Sequence, residues 1–223
     1  MTQLVGIFGG TFDPVHNAHL RVAMDVLEEA SLDEVRLIPA HQPPHRDTPS
    51  VGSAERLQML RMAVNGESRM VVDDRELRRD GPSYTVDTLA TLHADFPDAH
   101  LCLLLGTDSF RSLPGWNRWR ELSRFAHIVV MKRPEMDSPP MPDDLTHWLS
   151  GRETADWARL RAEPAGRVIF QAVTPLGISA TDIRQRLASG RSGRYLMPDA
   201  VWDHIRTHGL YGAGSAGSRR TQR

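Results

Sequence analysis

The sequence predicts an α/β fold, a doubly wound and mostly parallel sheet within one domain. Short apolar or β-branched runs alternate with helix-length segments from one end of the 223 residues to the other. That alternation implies parallel strands joined by helices that cover both faces. The unusual loops all fall at the ends of strands, the rim where ligands bind in open α/β sheets. The length suits a single core: residues 1–211 read as one domain, and 212–223, rich in Gly, Ser and Arg, as a disordered tail.

The opening strand is Leu4 to Phe8, closed by the adjacent Gly9 and Gly10. Thr11, an Asp13-Pro14 turn, and His16 and His19 at i, i+3 follow, and Leu20 to Leu27 continues as a helix. A strand, a glycine turn and a helix N-terminus together form an anion site. Glycine admits close backbone approach, and the first N–H groups of the helix carry partial positive charge. The stretch lacks both the P-loop pattern and Gly-x-Gly-x-x-Gly, so neither of those phosphate sites is expected.

Val35 to Ile38 is the second strand, followed by a proline-stiffened polar loop, Pro39 to Arg46, of the length that binding loops have. Ser53 is expected to cap a helix with Leu57, Leu60, Ala63 and Val64 on its apolar face. Met70 to Val72 is a third short strand, and Arg75 to Pro82 a charged turn. Ser83 is placed to cap the next helix, which carries Val86, Leu89 and Leu92. Leu101 to Leu105 is the most apolar strand, ending in a loop, Gly106 to Ser109. Trp116, Trp119 and Leu122 read as one short helix, and His127 to Met131 as a strand closed by Lys132-Arg133-Pro134. Residues 134–150 read as a surface excursion, and Glu153 to Arg161 as a surface helix. Val168 to Val173 is the last strand. The segment Pro175 to Arg184 turns into a helix reaching Leu187, and Asp199 to Arg206 is the final helix.

Composition excludes several classes. Lys+Arg 27 against Asp+Glu 28 gives a formal charge of -1, which offers no field for nucleic acid or a membrane surface. No apolar run approaches the roughly 20 residues of a spanning helix. The chain enters a strand at once, so no signal peptide is expected. The single cysteine, Cys102, precludes an internal disulfide, fits a reducing cytoplasm, and reads as a small core residue. The His pair lacks a third ligand of suitable spacing, so no protein-side metal site is expected.

The glycine-rich opening resembles the His-x-Gly-His signature of the nucleotidyltransferase superfamily, with Ala18 where that signature has Gly. The resemblance narrows with the segments that follow Gly9-Gly10-Thr11-Phe12-Asp13-Pro14-Val15-His16-x-x-His19. These are Pro43-Pro44-His45-Arg46, Gly81-Pro82-Ser83-Tyr84-Thr85-Val86-Asp87-Thr88-Leu89, Gly106-x-Asp108-Ser109 with Trp116, and Ile178-Ser179-x-Thr181-x-Ile183-Arg184. In order and rough spacing they resemble the bacterial nicotinate-nucleotide adenylyltransferases, from Gly6 to about Tyr211.

That resemblance implies a Rossmann-like nucleotidyltransferase fold. It also implies transfer of AMP from ATP to nicotinate mononucleotide, with Mg²⁺ accompanying ATP. It carries roles onto particular positions. His19, His16 and Arg184 are expected at the reacting phosphates. Gly9, Gly10, Thr11, Phe12, Gly106, Asp108, Ile178, Ser179 and Thr181 are expected around ATP with them. Thr11, Arg46, Tyr84, Thr85, Trp116 and Arg133 are expected around the mononucleotide, with Trp116 stacked on the pyridine ring. The acceptor phosphate is already ionised, so positioning and charge stabilisation are the levers, and donors and cations are the residue types required. The alternatives are another acceptor (nicotinamide mononucleotide, phosphopantetheine or a cytidylyl reaction) and a non-catalytic nucleotide-binding regulator. Oligomeric state is not legible in the residues.

Overall fold

A computed structural model describes residues 2–42, 48–132 and 140–214. The elements run β1 (Gln3–Gly10), α1 (Asn17–Glu29), β2 (Glu34–Pro39), α2 (Ser53–Ala63), β3 (Met70–Val72), α3 (Thr85–Asp95) and β4 (Ala99–Gly106). Then come α4 (Thr107–Arg111), α5 (Leu122–Phe125), β5 (Ala126–Lys132), α6 (Asp143–Leu149), α7 (Trp157–Ala162), β6 (Val168–Ala172), α8 (Ala180–Ala188) and α9 (Asp199–Thr207). Six strands form one sheet in the order β3-β2-β1-β4-β5-β6. Each neighbouring pair is parallel, so the sheet is wholly rather than mostly parallel.

Side-chain alternation sends the central strands into two cores. In β1, Leu4 and Phe8 enter one cluster and Val5 and Ile7 the other. In β4, Cys102 and Leu104 face the first, and Leu101, Leu103 and Leu105 the second. Val26 and Leu27 of α1, Met59 and Leu60 of α2, Ile183 and Leu187 of α8, and Val201 and Ile205 of α9 cover the first face. Leu89 and Leu92 of α3, Phe110, Leu122, Leu145 and Trp148 cover the second. The central stretches of β1 and β4 are therefore apolar at consecutive positions, as strands buried on both sides must be. Gly6 is needed where β1 passes beneath the α1–β2 connection. A Cβ there would lie 2.9 Å from both Leu32 and Val35.

Several local expectations change. Gly52, not Ser53, is the N-cap of α2, and its packed face centres on Arg56, Met59 and Leu60. Tyr84 caps α3, while Ser83 Oγ accepts the His41 N–H at 2.9 Å. The loop expected after β4 is already helical from Thr107. Trp116, Trp119 and Leu122 do not share a helix. Trp116 is extended, Trp119 starts a 3-10 turn behind a left-handed Arg118, and Leu122 opens α5. The segment read as an excursion holds α6, whose Leu145, Trp148 and Leu149 are buried. Trp148 meets Trp119 with ring centroids 5.4 Å apart. The expected surface helix shortens to α7 and buries Leu160, while Glu153 bridges to Val168. The packed chain passes Tyr211 and buries Ala213; residues 215–223 lie outside the described part.

Candidate active site

β1 turns toward β2 on one side and β4 on the other, and this is where the winding of the sheet reverses. β1 pairs with β2 up to Gly10↔Pro39, but with β4 only up to Ile7↔Leu103. Beyond that point the two central strands part, and β4 continues beside β5 up to Gly106↔Met131. The gap opens a crevice of about 1430 Å³ at the strand C-termini. Gly9, Gly10, Thr11, Phe12, His16, His19, Tyr84, Thr85, Gly106, Asp108, Trp116, Ile178, Ser179, Thr181 and Arg184 all line it. Segments far apart in the chain thus meet on one rim. Arg46 and Arg133 lie outside the described residues.

The glycines at the end of β1 differ in role. A Cβ at Gly9 would meet no atom within 4 Å, so its backbone is open to a ligand. A Cβ at Gly10 would lie 2.9 Å from the Phe12 ring. Phe12 is buried and left-handed, with φ 49. Its ring meets Phe8 and His19 edge-on, with centroids 5.9 and 5.1 Å away. Gly10 therefore gives Phe12 the room it needs to brace His19.

His16 is the N-cap of α1 and is buried, and its ring stacks on that of His19 with centroids 3.6 Å apart. The His16 backbone N–H donates to His19 Nδ1 at 3.3 Å. An acceptor at Nδ1 assigns the proton of the neutral ring to Nε2. His19 thus carries an N–H donor on the side of the ring away from its own helix cap.

Across the crevice, Ser179 caps α8 by accepting the Asp182 N–H at 3.1 Å, which leaves its own hydroxyl proton to donate outward. The first N–H groups of α8 lie behind it, as anion recognition requires. Arg184 is more committed than the sequence suggested. Its Nη1 donates to the Asp13 carbonyl at 2.7 Å and its Nη2 to Thr181 Oγ1 at 3.4 Å. Its guanidinium links α8 to the β1–α1 turn as well as lining the crevice.

The far end is formed by α3 and Trp116. The Tyr84 N–H is used within its own turn, donating to Pro82 O at 3.0 Å. The first helical N–H groups, on Thr85 and Val86, have no preceding helical carbonyl to take them. Trp116 Nε1 donates to Ser112 Oγ at 3.2 Å, which fixes the plane of the indole. Glu76, buried, also lines the crevice and accepts the Thr88 hydroxyl at 2.6 Å. Among the described residues no group of three or more His, Cys, Asp or Glu is placed to hold a metal ion. Asp108, exposed within the crevice, is a carboxylate suited to a hydrated cation that arrives on phosphates.

Other members of the site were not singled out by sequence. Lys132 and Asn117 line the crevice. Arg56 is buried and donates to the Thr11 carbonyl at 2.7 Å and to Ser53 Oγ at 3.1 Å. Desolvation lowers its pKa, opposed by the nearby Asp13 and Tyr211. Asp13, read as a turn residue, is buried and accepts the Ser50 N–H at Oδ2 and the Tyr211 hydroxyl at Oδ1, both at 2.7 Å. Burial, then the Asp13 hydrogen bond and charge, push the Tyr211 phenol far above its ordinary value, so it remains a donor. An Asp-Pro dipeptide before a His-x-x-His helix gave no sign of these distant partners.

Comparison with known proteins places the chain in a family. The cytidylyltransferase-like family pattern matches residues 7–186. A relative from Pseudomonas fluorescens, named probable nicotinate-nucleotide adenylyltransferase, is 53% identical over 214 residues, covering 96% of this chain and 99% of its own. One of the same name from Halorhodospira halophila is 51% identical over 210 residues, covering 94% and 96%. Among solved structures, a Plasmodium falciparum nicotinic acid mononucleotide adenylyltransferase complexed with NaAD shares the fold. It has a TM-score of 0.72 at 17% identity, covering 96% of this chain and 99% of that one. The chain belongs to the cytidylyltransferase-like family and, within it, to the nicotinate-nucleotide adenylyltransferases.

Proposed function

We propose that the protein transfers AMP from ATP to nicotinate mononucleotide, giving nicotinate adenine dinucleotide and pyrophosphate. The observation that carries this reading is the meeting, in one crevice, of two phosphate-type turns with a helix start and an indole at the opposite end. The His turn and the α8 start grip the triphosphate. The α3 start and Trp116 hold the pyridine ring and its carboxylate. Gly106 and Asp108 lie on the adenosine side.

A phosphate oxygen of the mononucleotide attacks the α-phosphorus. The bond from that phosphorus to the bridging oxygen of the β-phosphate breaks, and its electron pair leaves with pyrophosphate. No proton need be taken from an ionised phosphate, so the residues act by holding and stabilising. His19 donates through Nε2–H to an α-phosphoryl oxygen, and His16 stacks behind it and fixes its angle. Gly10, Phe12 and Thr11 offer N–H and hydroxyl groups to the acceptor and α-phosphates. Ser179, Thr181 and Arg184 face the β- and γ-phosphates, where the charge of the leaving group grows. Mg²⁺ bound with ATP would supply charge neutralisation at these phosphates, with Asp108 as its protein-side carboxylate.

The α3 start favours an acid over an amide on the pyridine ring, because helix N-terminal N–H groups are worth more to a carboxylate. Among the described residues no helix is long and apolar enough to cross a membrane. That finding and the single buried thiol fit a cytoplasmic enzyme. The test is steady-state pyrophosphate release with nicotinate and nicotinamide mononucleotides supplied in parallel. Faster turnover with the acid supports the reading. Equal or better use of the amide overturns the acceptor, and no release with either overturns catalysis.

A further inference from the structure

Three distant segments converge on one residue at the crevice floor. Asp13 is buried beneath the glycine turn, takes the Ser50 N–H on Oδ2 and the Tyr211 hydroxyl on Oδ1, and holds Arg184 through its own carbonyl. Ser50 and Arg184 line the crevice, and Thr11, two residues back, is held by Arg56. Tyr211 comes from the end of the packed chain, 198 residues away. It sits in a left-handed conformation, φ 56, between Gly209 at φ 62 and Gly212 at φ 79. That backbone is uncommon for an aromatic residue and must be held by its surroundings. The left-handed bend swings the phenol from α9 under the crevice floor.

We propose that Tyr211 is a positioning residue for adenylyl transfer: its hydroxyl orients the Asp13 carboxylate, and Asp13 in turn sets the glycine turn, Ser50 and Arg184 in one register against the triphosphate. The inference rests on the activity proposed above. The phenol touches no substrate. Donors on both oxygens hold the orientation of the carboxylate, and the Arg184 bond to the Asp13 carbonyl holds the same residue by its backbone. The pyridine end, built from α3 and Trp116, reaches this hub only at a distance, through Ser83, His41, Ser53 and Arg56. Loss of the hydroxyl should therefore slow the chemical step more than it loosens the mononucleotide, whose pyridine ring is held by α3 and Trp116.

The test compares Tyr211→Phe, Asp13→Asn and the double variant with wild type, measuring kcat, KM for each substrate and thermal melting of the full chain. Tyr211→Phe is expected to lower kcat about tenfold, the scale of one hydrogen bond to a charged group, with KM for nicotinate mononucleotide within about twofold. Asp13→Asn leaves one side-chain oxygen for two donors, so its loss should equal or exceed that of Tyr211→Phe. Adding Tyr211→Phe to it ends the competition for that oxygen and should cost nothing further. Losses that multiply, or a Tyr211→Phe chain with kcat within about twofold of wild type, overturn the proposal. If Tyr211→Phe does not fold, Asp13→Asn decides alone: lowered kcat with unchanged mononucleotide KM supports it, and unchanged kcat overturns it. A wild-type chain that releases no pyrophosphate removes the activity itself, an outcome separate from an active wild type with a silent Tyr211→Phe.

Discussion

Gly10→Ala and Gly9→Ala differ by one position and should fail in opposite ways. At Gly10 the new methyl would lie 2.9 Å from Phe12 Cζ, with Cε1 and Cε2 at 3.1 and 3.2 Å. Phe12 cannot yield freely, because its ring is 1% exposed and packed edge-on against Phe8 and His19. Overpacking of this kind costs about 2 kcal/mol. For a domain of this size that lowers the melting midpoint by about 4–8 °C. Because Phe12 braces His19, turnover should fall by at least about tenfold, as displacing a catalytic donor does. At Gly9 the methyl meets no protein atom within 4 Å. The Gly9→Ala midpoint should hold or rise slightly through the reduced freedom of the unfolded chain. Its methyl would instead stand on the crevice floor and raise KM for ATP by about tenfold, the equivalent of 1.4 kcal/mol. Melting followed by circular dichroism, paired with pyrophosphate release, reads both effects. A Gly10→Ala chain that melts within about 1 °C of wild type and keeps its turnover would refute the bracing argument.

His19→Ala should cut turnover by about a hundredfold or more, the scale of losing an oriented transition-state donor, and a drop below tenfold in single-turnover measurements would take His19 out of the chemistry. Trp116→Ala should weaken the mononucleotide and leave kcat nearly unchanged, because a stacking surface is lost far from the reacting phosphorus; equal acceptor affinity by calorimetry would make the indole structural. Asp73 gives a pH prediction. Burial alone would raise its carboxyl, but hydrogen bonds from Arg75 and Arg36 outweigh burial and hold its pKa below the ordinary value. Its stabilisation is then fully present above the unfolded-state pKa of about 4 and is lost as pH falls through the lower folded value. Asp73→Asn should therefore flatten the loss of stability on the acid side, and an unchanged acid slope in urea titrations would show that these bonds contribute nothing.

Local chemistry explains what was legible in the chain and what was not. Met70 to Val72 was readable because a short β-branched run admits little else. The crevice was readable because glycines, hydroxyls and imidazoles at strand ends announce a phosphate site before any contact is known. Ser53 and Ser83 misled because a serine beside a helix start is a candidate cap whichever partner it takes. Ser53 accepts from Arg56 inside the helix, and Ser83 accepts from His41 across a loop. Residues 134–150 misled because Pro and Asp outweigh, by composition, the Leu145, Trp148 and Leu149 that decide burial. Asp13 and Arg184 were recognised as motif letters but not as partners. Their bonds join positions 37, 171 and 198 residues apart, and no periodicity records such separations.

The parting of β1 from β4 after Ile7↔Leu103 leaves the peptide groups of Gly9 and Gly10 without a β4 partner where they line the cleft. An inhibitor that hydrogen-bonds to those exposed amides and carbonyls relies on atoms that every amino acid but proline carries in full. Point substitution by any residue but proline cannot delete such contacts. It can only crowd them, and Gly9, with empty space where a Cβ would go, is where a new side chain would intrude.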